Sequence, residues 1–413
     1  MRRVPIPAVA WLCALPLLLA SMVLPASAPD NLAATARRLL GVGQGVYVES
    51  SDGTVLLAQA ADRAVHPASV SKLPTTLALL RRLGADHRFT TTIAATGLVT
   101  AGTLHGDLLI EGGGDPYFVD ENALLVVARL RELGVQRISG SLQLSGSMMF
   151  NWRDDALAAR LRATLSGQAP QAAWDNVRAA YPGLSGAGAA GPPSLAFGDA
   201  PGIATAGSAA PLLVHRSQAL IPLVKSLNDY SNNIFKPLAA AAGGAGAVQE
   251  LARQAVPEAM RDEIILGDGA GTDARNRLSP RVVVKLLRAL EQQLAQSGHA
   301  LVDILPVAGV DEGTLRDRLN APGESGRVVG KTGTFGDYGA SALAGAIATS
   351  DRGTVYFAIL NHGVPVKTAR RRQDAFVRAL LAGLHTVTWN YTRDARPAIA
   401  RAEVLPAAQV AAR

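Results

Sequence analysis

The sequence predicts an α+β fold: an antiparallel sheet flanked by helices, with an inserted smaller α/β domain. Three observations carry this expectation. Strand-like alternation appears near both ends of the chain, at 45–59 and again at 326–334, 341–348 and 354–360. Helix-period stretches fill much of the region between, from about 217 to 297. Residues 88–150 mix strand-like runs with one amphipathic helix and read as a separate small piece. Strands at both ends that enclose a helical middle close most simply as one sheet. Terminal helices then cover one face and the central helices the other.

Taken in order, residues 1–28 carry Arg2 and Arg3, an apolar stretch and Ala26-Ser27-Ala28, the pattern of a secretory signal peptide. Pro16 and Pro25 disfavour a stable spanning helix. Pro29 follows the expected cut directly, which leaves cleavage and a retained anchor both open. The location this implies is the periplasm, with membrane association only through the leader or peripherally. Residues 45–59 read as a hairpin around Ser51-Asp52-Gly53. Ser69 opens a helix whose apolar positions recur at Leu73, Leu77 and Leu80, with Pro74 tolerated in the first turn. Strand-like runs at 89–95, 106–111 and 140–144 and a helix near 120–133 belong to the insertion. Residues 165–205, rich in Ala, Gly and Pro, read as loop. Two helices follow, the first over about 217–229. Ser279-Pro280 starts another at 279–297 through Val284, Leu286, Leu287 and Leu290. Asp351-Arg352-Gly353 is a second hairpin turn, and an Arg-rich helix at 368–384 closes the pattern. The expected organisation is a leader at 1–28, a discontinuous catalytic domain at 29–87 and 206–390, an inserted domain at 88–205, and a tail at 391–413.

Composition narrows the chemistry. The one Cys, Cys13, lies in the leader, so thiolate catalysis and Cys-ligated zinc are excluded. The seven His show no metal-ligand spacing, and neither a metal nor a cofactor is expected. The net charge of +7 favours an anionic neighbourhood such as cell-wall polymer or membrane surface. No basic run with interleaved aromatics points to nucleic acid. Only six of the 40 basic residues are Lys. Arg cannot serve as a base, so the few lysines are the ones to inspect.

Ser69-Val70-Ser71-Lys72 puts a hydroxyl and an amine on one helix face. A neutral Lys72 can take the proton from Ser69. Alone the tetrad is weak, since about 0.4 arise by chance in such a chain. Lys331-Thr332-Gly333-Thr334 is sharper, with about 0.04 Lys-Thr-Gly triplets expected by chance. A cation, two hydroxyls and a glycine on a strand suit docking of a carboxylate-bearing peptide end. Ser231-Asn232-Asn233 lies in a loop between two helices and offers a second hydroxyl and a carboxamide. The overlapping Tyr230-Ser231-Asn232 leaves its register ambiguous from local sequence alone. His66, three residues before Ser69, is set aside as its base, because near neighbours in sequence rarely form that geometry.

The order Ser-x-x-Lys, Ser-x-Asn, Lys-Thr-Gly resembles the penicillin-recognising serine acyl-transferases. The chain is most similar to serine-type D-alanyl-D-alanine carboxypeptidases, the low-molecular-mass class C penicillin-binding proteins. HPASVSK, DLLIEGGGDPYF, SLNDYSNNIF, GDGAGTDARNRLSP, LPVAGVDEGTLRDRL and VVGKTGT fall in family-like order over about 40–150 and 210–390. The usual Ser-Asp-Asn reads Ser-Asn-Asn, the usual Asp-Gly-Ser-Gly reads Asp268-Gly269-Ala270-Gly271, and the insertion is reduced. The resemblance implies a penicillin-binding transpeptidase-like, β-lactamase-like fold. It makes Ser69 the nucleophile, Lys72 its base and Ser231 the proton shuttle. Asn233 would hold a substrate amide, and Lys331, Thr332 and Thr334 the terminal carboxylate. The N–H groups of Ser69 and Thr334 would form the oxyanion hole, and two neighbouring lysines would depress each other's pKa. The implied activity is a periplasmic DD-carboxypeptidase, extending to DD-endopeptidase, on peptidoglycan stem peptides, with β-lactams as covalent inhibitors. The alternatives are a β-lactamase or esterase on the same fold, and a wall-binding protein with a decayed site.

Overall fold

The computed structural model describes residues 30–184, 188, 190–198, 209–230, 234–336 and 339–411. The expected leader and the Ser231-Asn232-Asn233 motif lie outside the described residues. In chain order the main elements begin with α1 (Asp30–Leu40), β1 (Gly45–Ser50) and β2 (Val55–Gln59). A 3-10 turn (Ala68–Ser71) leads straight into α2 (Lys72–Leu83). Next come β3 (Thr90–Ala95), β4 (Leu108–Gly113), α3 (Asp120–Glu132), β5 (Leu142–Ser147), α4 (Leu157–Leu165), α5 (Gln171–Ala180) and β6 (Ala210–Arg216). Then follow α6 (Leu220–Tyr230), α7 (Phe235–Ala241), α8 (Gly244–Gln254) and α9 (Pro280–Ala295). The chain continues through β7 (Val328–Phe335), β8 (Ala340–Thr349), β9 (Gly353–His362), α10 (Val366–Gly383) and β10 (Glu403–Pro406).

The main sheet has the order β7-β8-β9-β1-β2 and is antiparallel throughout. Its N-terminal hairpin therefore pairs with the C-terminal strands, as the end-to-end pattern predicts. Side chains alternate faces along each strand. Val46, Val48, Phe357 and Ile359 pack against α1 and α10. Tyr47, Tyr356, Ala358 and Leu360 join the core built on α2, α6 and α9. The Ala- and Gly-rich β8 lets the 3-10 turn of Ser69 pack closely on the sheet. Helix α9 is capped by Ser279, whose Oγ accepts from Val282 N at 3.2 Å, with Pro280 at its first position. It is tied to β1 by a buried Glu49, which pairs with Lys285 at 2.6 Å and with Arg288.

A second sheet runs β10-β6-β3-β4-β5. Its core packs around α3, with Phe118, Phe150, Leu124 and Trp174 buried. Three expectations are corrected here. The boundary at 205 falls short, because β6 pairs with β3 and buries Leu213 and His215. Residues 391–413 are not a separate tail either, since β10 pairs with β6 and buries Val404. Residues 165–205, expected as loop, contain α5, which presses Ala173, Trp174 and Val177 into this core. Alanine disguised it: the residue reads as low complexity yet is the best helix former. Among the described residues no helix is long and apolar enough to cross a membrane.

Candidate active site

Ser69 lies on the 3-10 turn that begins α2, one residue after Ala68, whose φ of +50° is left-handed and strained for a non-glycine residue. Two contacts hold that backbone. His66 Nδ1 accepts from Ala68 N at 3.1 Å, so its Nε2–H donates to the Asp273 carbonyl at 3.0 Å. Its ring stacks on Phe335 at 4.0 Å. With both nitrogens engaged, His66 braces the turn and is not the base of Ser69.

Lys72 Nζ lies 2.8 Å from Ser69 Oγ and donates to the Ala270 carbonyl at 2.7 Å. Lys72 is 1% exposed, and Phe235 faces its amine at 5.5 Å. Burial brings its pKa down to about 7, against a partial restoring pull from Asp268. A large fraction of the amine is therefore neutral at physiological pH and able to accept the serine proton.

The carbonyl of Ala270 is aimed by the Asp268 carboxylate. That group accepts from Gly271 N at 2.8 Å, Thr272 N at 3.0 Å, Thr272 Oγ1 at 2.5 Å and Asn276 Nδ2 at 2.9 Å. Burial raises the Asp268 pKa, but these hydrogen bonds outweigh it and hold the group ionised. Gly271 has φ +86°, and a Cβ there would sit 2.0 Å from the Ala68 carbonyl. Because Lys72 uses a backbone carbonyl, Ala at position 270 serves as well as Ser.

Strand β7 packs beside this turn. A Cβ on Gly333 would lie 2.7 Å from Pro67 O and 3.0 Å from Ser69 N, so the glycine brings the Lys-Thr-Gly strand up to the serine. Lys331 is 0% exposed and donates to the Thr332 carbonyl at 3.0 Å. Burial, then the charge of Lys72, hold its pKa well below the usual lysine range. Of the mutual depression expected of the two lysines, the charge of Lys72 acts on Lys331, and burial is the cause that lowers Lys72. Thr332 Oγ1 donates to Thr314 Oγ1 at 2.9 Å. Thr334 is exposed, and its Oγ1 accepts from Arg370 Nη2 at 2.8 Å. Val307 bridges Val329, and Gly330 N donates to Pro306 O. Beyond Gly330, no strand covers this edge of β7 among the described residues.

Ser231 and Asn233 fall outside the described residues, but the residues on either side are anchored. Asn228 Nδ2 donates to the Ile304 carbonyl at 2.8 Å, and the Asp229 carbonyl accepts from Thr314 N at 2.9 Å. Ile234 and Phe235 are buried in the main core.

Sequence reasoning missed several supporting groups. Asp268 and Ala270 lay inside a family-like segment, but their link to Lys72 is visible only in space. Arg370 sits in the Arg370-Arg371-Arg372 run, where nothing local distinguishes it. It makes no ion pair among the described residues, since nearby Asp374 is taken by Arg318 at 2.6 Å. No group of three or more His, Cys, Asp or Glu among the described residues could hold a metal ion.

Three comparisons bear on this arrangement. The D-alanyl-D-alanine carboxypeptidase of Actinomadura sp. (strain R39) is 32% identical over 171 residues, 38% of this chain. The matched stretch spans only 30% of that relative's length. A predatory endopeptidase of Bdellovibrio bacteriovorus, solved with an immunity protein, superposes with a TM-score of 0.73 at 22% identity, covering 87% of this chain and 99% of the other. A penicillin G-acylated predatory endopeptidase from the same organism also gives 0.73, at 20% identity and with 87% and 99% covered. These two likenesses speak for the fold alone. The model of the D-Ala-D-Ala carboxypeptidase 3 (S13) family matches residues 29–158 and 195–382, and the chain belongs to that family.

Proposed function

We propose that this protein is a serine DD-carboxypeptidase of the periplasm that removes terminal D-alanine from peptidoglycan stem peptides. The observation that carries this reading is the Ser69 Oγ to Lys72 Nζ approach of 2.8 Å, with the amine buried and its pKa near neutrality. Ser69 Oγ attacks the carbonyl carbon of the penultimate D-alanine while its proton passes to Lys72. The N–H groups of Ser69 and Thr334 take the developing oxyanion. Collapse breaks the C–N bond, and the proton reaches the leaving D-alanine nitrogen through Ser231. Water then attacks the ester as Lys72 takes its proton, and Lys72 returns that proton to Ser69 Oγ as the ester C–O bond breaks.

The substrate peptide lies along the open edge of β7, with Asn233 on its amide. Its terminal carboxylate meets Thr332 and Thr334, backed by the buried Lys331 and, from α10, by Arg370. An arriving carboxylate favours the ammonium form of Lys331, against the burial that disfavours it. Family membership supports the substrate class.

Intact-protein mass after incubation with benzylpenicillin tests the reading. A stable adduct of one drug molecule, absent in Ser69→Ala, is the expected result. No adduct with intact drug contradicts an active serine, and no adduct with hydrolysed drug makes the protein a β-lactamase. Release of D-alanine from a pentapeptide monomer, against cleavage of a cross-linked dimer, then separates carboxypeptidase from endopeptidase action.

A further inference from the structure

A cavity of about 560 Å³ opens in the second module between α3, α5 and the 3-10 turn Ala398–Arg401. Its polar lining includes Asp115, Asp120, Glu121 and Gln218. Its apolar lining includes Ala173, Pro397, Ile399 and Ala402. Two aromatic rings, Tyr117 and the 48%-exposed Trp152, also line it and meet edge to face at 5.9 Å.

Two buried side chains of the lining keep polar atoms without a hydrogen bond. Gln218 is 3% exposed, and neither its Oε1 nor its Nε2 has a partner. Asp115 is also 3% exposed; its Oδ1 accepts from Tyr117 N at 2.8 Å, while its Oδ2 has no hydrogen bond, with His215 Nδ1 3.8 Å away. Buried polar groups are otherwise almost always paired, so these are open positions for a ligand's donors and acceptors.

The ligand's charge can be read as well. No Lys, Arg or His lines the cavity among the described residues. Asp120 is held by the neutral donors Thr164 at 2.7 Å and Asn151 at 3.0 Å, and Glu121 by Asn176 at 3.0 Å. His215, 3.8 Å from Asp115, is kept neutral by burial, with its pKa down to about 3. Burial pushes Asp115 up to about 7. An anion is therefore excluded. A lining that combines apolar groups, acceptors and two aromatic rings suits a saturated sugar ring, with apolar faces and hydroxyls around them.

We propose that this cavity binds an uncharged N-acetylamino sugar of the peptidoglycan glycan strand, with Gln218 on the acetamido group and the carboxylates on ring hydroxyls. This inference takes the substrate class from the proposed function. Continuity supports it: Tyr117 also lines the groove that holds Asp229 and Tyr230, the residues directly before Ser231. A sugar in the cavity can thus carry its peptide along that groove.

The test is calorimetric titration of the full chain with the β-1,4-linked N-acetylglucosamine tetramer. Binding is expected, weakened about fivefold or more by Gln218→Leu and by Trp152→Ala. Benzylpenicillin acylation should continue in both variants. Trp152 is exposed, so its variant keeps the test alive if Gln218→Leu does not fold. No binding of the tetramer up to about 10 mM, binding indifferent to both substitutions, or preference for cadaverine over the tetramer overturns the proposal. Cavity-dependent sugar binding by a protein that penicillin does not acylate would uphold the sugar site and defeat the carboxypeptidase reading.

Discussion

The catalytic lysines and the cavity of the second module differ in how their buried polar groups are held. Beside the main sheet, Lys72, Lys331 and Asp268 are all partnered at 2.5–3.0 Å, chiefly through backbone groups. In the second module, Gln218, Asp115 Oδ2 and His215 Nδ1 have no hydrogen-bond partner. The first arrangement is fixed before substrate arrives, as chemistry at one serine requires. The second leaves positions that the proposed sugar would fill. Burial separates the sheets too: β8 is buried along nearly its whole length, whereas β5 is largely exposed.

The largest expected effect breaks the preorganised side. Lys72→Ala should lower the rate of benzylpenicillin acylation by about a thousandfold, measured by time-resolved intact mass. A loss below about tenfold would move the base elsewhere. Next is the ion pair that ties α9 to the main sheet. Glu49→Ala leaves Lys285 and Arg288 without their buried partner and should cost about 3 kcal/mol in urea unfolding. A cost near zero would mean that the main sheet is less dependent on its paired charges than the geometry implies.

A smaller effect sharpens where the carboxylate lies. Arg370→Ala removes a charge-assisted donor beside Thr334 and should raise KM about tenfold for peptides ending in a free carboxylate. The same variant should leave acylation by C-terminally amidated peptide esters unchanged. Equal loss on both would make Arg370 a structural residue. The smallest effect belongs to the second module's surface. Arg153 and Asp155 pair in the open, side chains 62% and 56% exposed, and Arg153→Ala should give no resolvable shift in melting temperature.

The same contrast governs what the sequence reveals. The main sheet is legible because its alternation is regular and its hairpin turns are marked by Asp52-Gly53 and Arg352-Gly353. Ser69, Lys72, Lys331 and Thr332 stand out as candidates because motif chemistry is local in sequence. What is not legible is assembled across the chain. The Ala270 carbonyl reaches Lys72 from 198 residues away, and any residue type could supply it. Strands β6 and β10 are short alternating runs separated by the whole catalytic helix set, so nothing local assigns them to the second sheet. Helix α5 hides in an Ala-rich stretch where composition suggests loop. The direction of the Lys72 shift is foreseeable, but its cause, burial with Phe235 over the amine, is a tertiary fact.

The most direct test of the central claim, that a buried neutral Lys72 activates Ser69, is the pH dependence of benzylpenicillin acylation. The amine must be unprotonated to act, so the rate should climb with pH, with a midpoint near 7, and level off above it. A profile flat from pH 5 to 9, or a midpoint at the pKa of about 10 of an ordinary exposed lysine, would contradict the account.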